Sequence, residues 1–201
     1  NKIIKGDHHQ GDIDLQSIDR ALKVICGGES WSAKSFRMLE EAKNKPTDVQ
    51  LEIVSLIAKS NDDLRQEVFI MQMIHFYKSV FVDAGLPLWL KTYRILSTSG
   101  TTGLIEVLVD STSIDGLKKS DGYPSEGGMR KYFEDTYGGK DSRSFKAAQR
   151  NFMLSLCGYS IVCYLLGPKD RHNGNIMIDT RGHVINIDFA GIRSHKNEKQ
   201  S

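Results

Sequence analysis

The chain has 201 residues, 26% of them charged and 39% hydrophobic, which is an ordinary composition for a globular protein. Its formal net charge of +2 argues against a strong electrostatic attraction to nucleic acid, and its three cysteines lack C-x-x-C spacing and give no disulfide framework. Because no apolar run is long enough to span a bilayer and no signal peptide is recognised, we expect a soluble or peripheral protein.

The first 46 residues predict an N-terminal extension that is partly disordered. Residues 1–16 are polar and show little hydrophobic periodicity. After them we expect one short amphipathic helix that ends at Gly27-Gly28. Its apolar face is formed by three residues, Ile18, Leu22 and Ile25.

Residues 47–109 are predicted to contain strands and one helix. An apolar stretch at 49–58 is predicted as a strand that carries Lys59 at its end. Apolar residues at helical spacing from Leu64 onwards predict a helix that ends near Gly85. The remaining elements predicted in this region are strands at 88–96 and 104–109 and a turn at 98–103.

Residues 110–201 predict a mainly helical region. The segment 110–141 is rich in glycine, serine and lysine, so we expect a variable surface connection with a short helix at 130–135. A long helix is predicted from Ser144 to Gly167-Pro168, with Cys157 and Cys163 buried in it. Its predicted core stripe comprises Phe145, Ala148, Phe152, Leu156, Tyr159, Cys163 and Leu166.

The stretch that follows predicts a β-hairpin. Short apolar runs at 176–178 and 184–187 flank a polar turn that contains Gly182. Because a hairpin holds its two ends side by side, Asn175 and Asp188 are expected to meet at the open end. An amide oxygen and a carboxylate suit Mg²⁺, a hard cation that prefers oxygen ligands.

The residues before the hairpin have the spacing of a catalytic loop. Asp170 and Asn175 match the D-x-x-x-x-N of phosphotransferases, which predicts phosphoryl transfer. Either Asp170 or His172 is expected to accept the proton of the attacking hydroxyl. The spacing favours Asp170, whereas a histidine commonly titrates close to neutral pH, so the sequence leaves both open.

The same loop carries a family resemblance. The run D-R-H-N-G-N at 170–175 resembles the D-R-H-N-x-N loop of the phosphatidylinositol 3-/4-kinase superfamily, where protein kinases have H-R-D. The flanking segments A-Q-R-N-F at 148–152 and C-Y-L-L at 163–166 are most similar to type III phosphatidylinositol 4-kinases, in particular the beta form. The likeness covers about residues 54–189.

The resemblance implies an α+β, protein-kinase-like two-lobe fold. The antiparallel-sheet small lobe would comprise 47–109 and the mainly helical large lobe 110–201. Ala190 stands where the family has a glycine, and 192–201 does not resemble the family's activation loop. The large lobe is therefore expected to be incomplete at the C-terminus, as in a fragment, a truncated product or an inactive relative.

A second motif supplies the phosphate-binding residues. Residues 59–67 resemble the family's K-x-G-D-D-L-R-Q-D/E, which implies that Lys59 holds ATP phosphates and that Glu67 faces the nucleotide pocket. Asn61 replaces a glycine, and asparagine is the least costly substitute if φ must be positive. The sequence leaves two roles open for Asp62 and Asp63, one in the site and one in starting the helix.

A third motif resembles the family's hinge. Residues 103–108, G-L-I-E-V-L, are similar to G-M-I-E-x-V. The resemblance implies that Glu106, Val107 and Leu108 bind the adenine, with the Glu106 carbonyl as acceptor and the Leu108 amide as donor. A buried strand is the plainer interpretation, and the two are compatible.

Together these residues predict transfer of the ATP γ-phosphoryl group to the 4-hydroxyl of phosphatidylinositol, with Mg²⁺ at Asn175 and Asp188. The partners implied are phosphatidylinositol at a membrane surface, ATP and a recruiting protein, in the cytoplasm or at the Golgi. One alternative is an inactive kinase-like module that binds nucleotide or a partner. Another is phosphoryl transfer to a protein or a small molecule, because a fold alone does not fix its substrate.

Overall fold

Two small antiparallel sheets and six α-helices make up the described part of the chain. The computed structural model describes residues 13–43 and 53–189. The helices are α1 Leu15–Cys26, α2 Trp31–Lys43, α3 Arg65–Asp83, α4 Ile114–Lys119, α5 Gly128–Tyr137 and α6 Arg143–Leu166, with a 3-10 turn at Asn173–Asn175. The strands are β1 Leu56–Ser60, β2 Ile95–Ser97, β3 Thr102–Glu106, β4 Ser111–Ser113, β5 Ile176–Asp179 and β6 Val184–Asn186.

The first sheet has the order β1-β3-β2, with both pairs antiparallel. Lys59 pairs with Gly103. A Cβ atom at Gly103 would lie 2.5 Å from Leu64 Cδ1 and 2.6 Å from the Leu96 carbonyl oxygen, so this crossing requires a glycine. The sheet confirms an antiparallel arrangement at 56–106, although the start of the predicted strand, residues 49–52, lies outside the described residues.

The segment before β2 differs from the prediction of a strand at 88–96. Only Ile95–Ser97 is a strand, and β3 begins at Thr102 inside the predicted turn. The Trp89 amide donates to the Leu154 carbonyl at 3.4 Å, and the Tyr159 hydroxyl donates to the Lys91 carbonyl at 3.0 Å. The strand prediction is wrong here because these backbone groups bond to α6 instead of a neighbouring strand.

Helix α3 confirms the predicted helix from Leu64 to Gly85. It spans Arg65–Asp83, and Gly85 has a φ of 66°. Its inner face belongs to what we call the first core cluster, which joins α3, α6 and the hairpin β5–β6. The cluster comprises Leu64, Ile70, Met71, Ile74, Phe81, Leu90, Tyr93, Ile105, Tyr159, Val162, Ile185 and Phe189.

The prediction of a surface connection at 110–141 is wrong, although the short helix predicted at 130–135 is confirmed by α5. The segment contains β4, α4 and α5 and much of a second core cluster. This second core cluster comprises Ala21, Ile114, Leu117, Tyr132, Phe133, Tyr137, Phe145, Ala148 and Ile178. The second sheet, ordered β4-β5-β6, ties the segment to the hairpin. Although the segment is polar on average, five of its apolar side chains are buried, namely Ile114, Leu117, Tyr132, Phe133 and Tyr137.

Helix α1 confirms the predicted amphipathic helix and its end at Gly27, which has a φ of 70°. The predicted apolar face is only half-buried, whereas the small side chains of Ser17 and Ala21 are fully buried. The helix packs on α5, where the Arg20 Nε donates to the Thr136 carbonyl at 2.7 Å. The N-terminal helix is therefore part of the second core cluster.

Helix α6 begins after Ser142 and ends at Gly167, in agreement with the prediction. Part of the predicted core stripe is wrong, because Leu156 is 46% exposed. Cys157 is exposed as well, which contradicts its predicted burial, and Cys163 is half-buried. Gly158 faces the interior instead, because a Cβ atom there would lie 2.7 Å from the Trp89 carbonyl oxygen. Across the residues described, every helix is too short or too polar to cross a bilayer.

Candidate active site

The hairpin β5–β6 forms as predicted. Ile176 pairs with Asn186, and the Ile187 amide donates to the Asn175 carbonyl at 3.1 Å. The turn is closed by the Asp179 carboxylate, which accepts the amides of two turn residues, Arg181 and His183. The segment that carries Asp188 therefore lies beside Asn175.

Asn175 connects the hairpin to the loop before it. Its side chain is buried, and its Nδ2 donates to the Asp170 carbonyl at 2.9 Å. Because that contact uses the amide nitrogen, Oδ1 is the atom that can accept from a ligand or bind a cation. Asp188 has a φ of 54° and Asp170 a φ of 60°, so both acids occupy the sparsely populated left-handed region that marks constrained functional residues.

The geometry of His172 defines its tautomer. The Gly174 amide donates to His172 Nδ1 at 3.0 Å, so that ring nitrogen carries no proton. A neutral ring then holds its proton on Nε2, which lies 3.7 Å from Asp170 Oδ2. His172 consequently presents a donor towards Asp170, and both oxygens of Asp170 remain acceptors.

Arg171 joins the loop to the segment after the hairpin. Its Nε donates to the Lys169 carbonyl at 3.0 Å, its Nη1 to the Ile187 carbonyl at 2.7 Å and its Nη2 to the Asp188 carbonyl. Its guanidinium carbon lies 5.0 Å from the ring centroid of Phe189, which is fully buried. The Arg171 side chain thus holds the loop that contains Asp170 against the segment that contains Asp188.

Arg171→Lys is expected to lower kcat about tenfold and the free energy of unfolding by about 2 kcal/mol, since an ammonium cannot reproduce a planar fork that reaches three carbonyls. Denaturant unfolding and steady-state kinetics measure the two effects. Arg150→Lys, on the exposed face of α6, is the matched control. An Arg171→Lys protein as stable and active as the wild type would contradict the clamp.

Lys59 lies among several acids. Its Nζ is 3.2 Å from Asp62 Oδ2, so Asp62 lies beside Lys59. Burial acts to lower the pKa of Lys59, but the hydrogen bond to Asp62 and the charges of Asp188 and Glu67 outweigh it and raise that pKa. Lys59 is therefore a fixed cation. Asp63, by contrast, pairs with the exposed Arg65 at 2.6 Å and lies away from this group.

Tyr93 is the site residue that sequence reasoning missed. Its hydroxyl donates to Glu67 Oε1 at 3.3 Å, and burial raises the pKa of Tyr93 well above its usual range. Glu67 is itself buried, which raises its pKa, while the charge of Lys59 opposes that shift. Tyr93 lies in the segment predicted as a strand, where no local pattern distinguishes it from a core tyrosine.

Asn61 has a φ of 59°, so the position does adopt the positive φ for which asparagine is the least costly substitute for glycine. The adjacent Asp62 amide donates to the Thr101 carbonyl at 3.1 Å. The left-handed residue therefore turns the chain from β1 towards α3 and brings the Asp62 carboxylate back to Lys59.

In the hinge, the Glu106 carbonyl lacks its expected partner, the amide of Arg94 just before β2. The Glu106 amide donates to the Arg94 carbonyl at 2.9 Å, but the Arg94 amide donates to the Glu106 carboxylate instead of to the Glu106 carbonyl. The backbone contact from Arg94 and its guanidinium lower the pKa of Glu106. Next along the chain, the Val107 amide donates to the Ser55 carbonyl at 3.1 Å, so Val107 has no free amide for a ligand.

A strand lysine, a D-x-x-x-x-N loop and an Asp-Phe pair behind a hairpin are the parts of a phosphotransferase site. The chain belongs to the phosphatidylinositol 3- and 4-kinase family, whose sequence model matches residues 53–199. That match extends ten residues beyond Phe189, where the resemblance was expected to stop.

Individual relatives agree with the family. The chain is 44% identical over 170 residues to phosphatidylinositol 4-kinase beta 2 of Arabidopsis thaliana, covering 84% of this chain and 15% of that protein. It is 40% identical over 178 residues to phosphatidylinositol 4-kinase PIK1alpha of Candida albicans, covering 84% and 18%. It is 40% identical over 166 residues to phosphatidylinositol 4-kinase beta of Sorex araneus, covering 83% and 20%. The chain thus spans at most about a fifth of the length of these relatives.

Proposed function

We propose that this chain forms catalytic-core elements of a phosphatidylinositol 4-kinase, which transfers the γ-phosphoryl group of ATP to the 4-hydroxyl of phosphatidylinositol. The observation that carries the proposal is the loop 170–175, which Arg171 joins to the Asp188 segment beside the hairpin. The relatives that share this sequence at 40–45% identity bear the name phosphatidylinositol 4-kinase.

The architecture proposed for this function is two-lobed. Residues 47–109 form the small lobe, residues 110–201 belong to the large lobe and residues 1–46 precede them as an extension. The two separate sheets support this division, because β1-β3-β2 lies within residues 47–109 and β4-β5-β6 within residues 110–201. A nucleotide between the lobes would contact both.

ATP is the proposed phosphoryl donor. Lys59 is the cation for its phosphates, and Glu67 with Tyr93 forms the buried polar wall behind it. The Glu106 carbonyl is the proposed adenine acceptor, because the Arg94 amide donates to the Glu106 carboxylate and not to that carbonyl. The Leu108 amide is the proposed donor. Val107 contributes its side chain only, since its amide is bonded to Ser55.

The residues present fit Mg²⁺. Asn175 offers Oδ1 and Asp188 a carboxylate, and two protein oxygens completed by phosphate and water are a common magnesium set. When bound, the cation neutralises charge that develops on the transferred phosphoryl group. Arg171 contributes by holding the Asp188 backbone, in the segment that lies beside Asn175.

The proton of the lipid hydroxyl goes to Asp170 in this proposal. Because His172 Nδ1 accepts the Gly174 amide, the ring has no free lone pair at Nε2 for a second proton. His172 instead orients Asp170 from 3.7 Å away. This assignment resolves, as a proposal, the two candidates that the sequence leaves open.

The lipid substrate implies action at a membrane surface. We place the protein in the cytoplasm as a peripheral enzyme, with a recruiting protein as its membrane partner and the Golgi as a possible site. The half-buried Leu166 and the exposed Leu165 and Tyr164 at the end of α6 show that apolar surface lies close to the catalytic loop.

The test is transfer of radiolabelled phosphate from ATP with Mg²⁺ to vesicles that contain phosphatidylinositol. Phosphatidylserine vesicles, free inositol and a mixed protein substrate serve as the panel, and the labelled position on the ring is determined. Label on the 4-hydroxyl, abolished by EDTA, supports the proposal. Label only on protein would assign the activity to another substrate class. ATP that stabilises the protein without any transfer would indicate a nucleotide-binding module.

A further inference from the structure

Asp110 is in contact with three separate parts of the molecule. It lies two residues beyond Leu108, with a φ of 52°. Its carbonyl accepts the Thr180 amide, at the turn of the hairpin, at 3.2 Å. Its carboxylate accepts the amide of Trp31, the first residue of α2, at 2.7 Å. One residue therefore joins the hinge, the hairpin and the N-terminal helices.

The carboxylate acts as a cap for α2 from another element. The first amides of a helix lack partners within the helix, and the N-terminus favours a negative charge. Ser30 Oγ accepts the Ala33 amide at 3.2 Å, and Asp110 takes the amide of Trp31. Burial, and then the charge of Asp110, raise the pKa of the Cys26 thiol at the end of α1, so the carboxylate faces the α1–α2 junction.

Contacts of neighbouring residues hold the segment 108–111 in place. The Ser111 hydroxyl donates to the Leu108 carbonyl at 2.7 Å, and Ser111 pairs with Asp179 on β5. Asp110 adds the contacts to Thr180 and to Trp31. A left-handed aspartate persists only where its surroundings fix it, and here the backbone on one side and the side chain on the other do so.

We propose that Asp110 is a positioning residue for nucleotide binding. By capping α2, its carboxylate holds residues 107–110 in place and thereby fixes the Leu108 amide that receives the adenine. The inference rests on the proposed function of the hinge, and it makes the N-terminal helices part of the nucleotide site. Loss of the cap releases the hinge and weakens nucleotide binding without removing any group that touches the nucleotide.

The first test replaces the carboxylate. Asp110→Gly keeps the positive φ and removes the cap, whereas Asp110→Asn keeps an acceptor and also tolerates this φ. With the full chain, the dissociation constant of a fluorescent ATP analogue is expected to rise about three- to tenfold in Asp110→Gly and to stay within about twofold in Asp110→Asn. Equilibrium binding needs no lipid turnover.

The second test removes the donor and leaves the hinge sequence intact. Trp31→Pro lacks the amide that Asp110 accepts, and proline is well tolerated at the first position of a helix. Trp31→Ala loses the same ring but keeps the amide. Weaker nucleotide binding by Trp31→Pro than by Trp31→Ala is the expected result, and it excludes added glycine flexibility as the cause.

Asp14→Gly is the matched control for loss of a helix cap. Asp14 caps α1 by accepting the Ser17 amide at 2.8 Å, and it lies at the opposite end of α1 from Cys26. This variant is expected to lose stability like Asp110→Gly and to keep the affinity of the wild type for the nucleotide. Equal affinity in all five variants would overturn the inference.

Amide hydrogen exchange of the peptide 104–111 separates this inference from the proposed function. If the wild type binds no nucleotide, the proposed function fails, and exchange still decides the role of Asp110. Faster exchange in Asp110→Gly and Trp31→Pro than in their paired variants supports the anchor. Identical exchange in all of them overturns it.

Discussion

Asp188→Asn is expected to reduce phosphorylation of phosphatidylinositol at least about 100-fold while the protein remains folded. The change removes a charge and leaves the shape of the side chain. Asparagine tolerates the φ of 54° at this position, and the Asp188 carbonyl that Arg171 holds is a backbone group. The expected loss is therefore in turnover, with kcat measured on lipid vesicles and stability measured by thermal unfolding.

The physical reason for so large an effect is the charge balance of the site. The charges of Asp188 and Glu67 both raise the pKa of Lys59, so Asp188 acts on the proposed phosphate-binding cation in addition to its proposed role as a metal ligand. Asp135→Asn is the control, since Asp135 pairs with Lys131 on the surface of α5. Full activity of Asp188→Asn would remove Asp188 from the site and the metal assignment with it.

Features set by neighbouring residues could be predicted from the sequence. Gly27, Gly85 and Gly167 all adopt positive φ where helices were expected to end. The hairpin was predicted because a polar turn that contains Gly182 lies between two apolar runs. The φ of Asn61 is positive as well, and the sequence indicated that asparagine would tolerate this conformation if the position required it.

Features set by distant contacts could not be predicted. The segment before β2 has the composition of a strand, but the Trp89 and Lys91 backbones bond to α6, more than sixty residues away. The segment 110–141 looks polar on average, yet Tyr132 is fully buried in it. Composition averaged over a sequence window does not reveal such residues, because their burial depends on which distant parts of the chain pack against them.

The candidate site likewise has features that could be predicted from the sequence and features that could not. The residue types at Lys59, Asn175 and Asp188 follow from motif spacing. Their partners do not, because Asp62 returns to Lys59 only through the turn at Asn61. Tyr93 and Asp110 belong to no motif, and only the folded chain brings Tyr93 to Glu67 and Asp110 to α2.

Asp170→Asn and His172→Asn are expected to have clearly different effects on turnover. General bases commonly contribute about 100-fold or more, and the proposed base is Asp170, so Asp170→Asn is expected to lower kcat at least about 100-fold. Asparagine tolerates the φ of 60° at this position, and the Asp170 carbonyl that accepts from Asn175 is retained. The loss then reports the carboxylate and not the loop.

His172→Asn is expected to lower kcat about tenfold or less, the effect of losing an orienting contact. The asparagine oxygen can accept the Gly174 amide in place of Nδ1, and asparagine is a good residue at the start of a helical turn. Single-turnover kinetics with saturating ATP isolate the transfer step. A larger loss in His172→Asn than in Asp170→Asn would make the imidazole the base, and it would require Gly174 to release Nδ1 when the lipid binds.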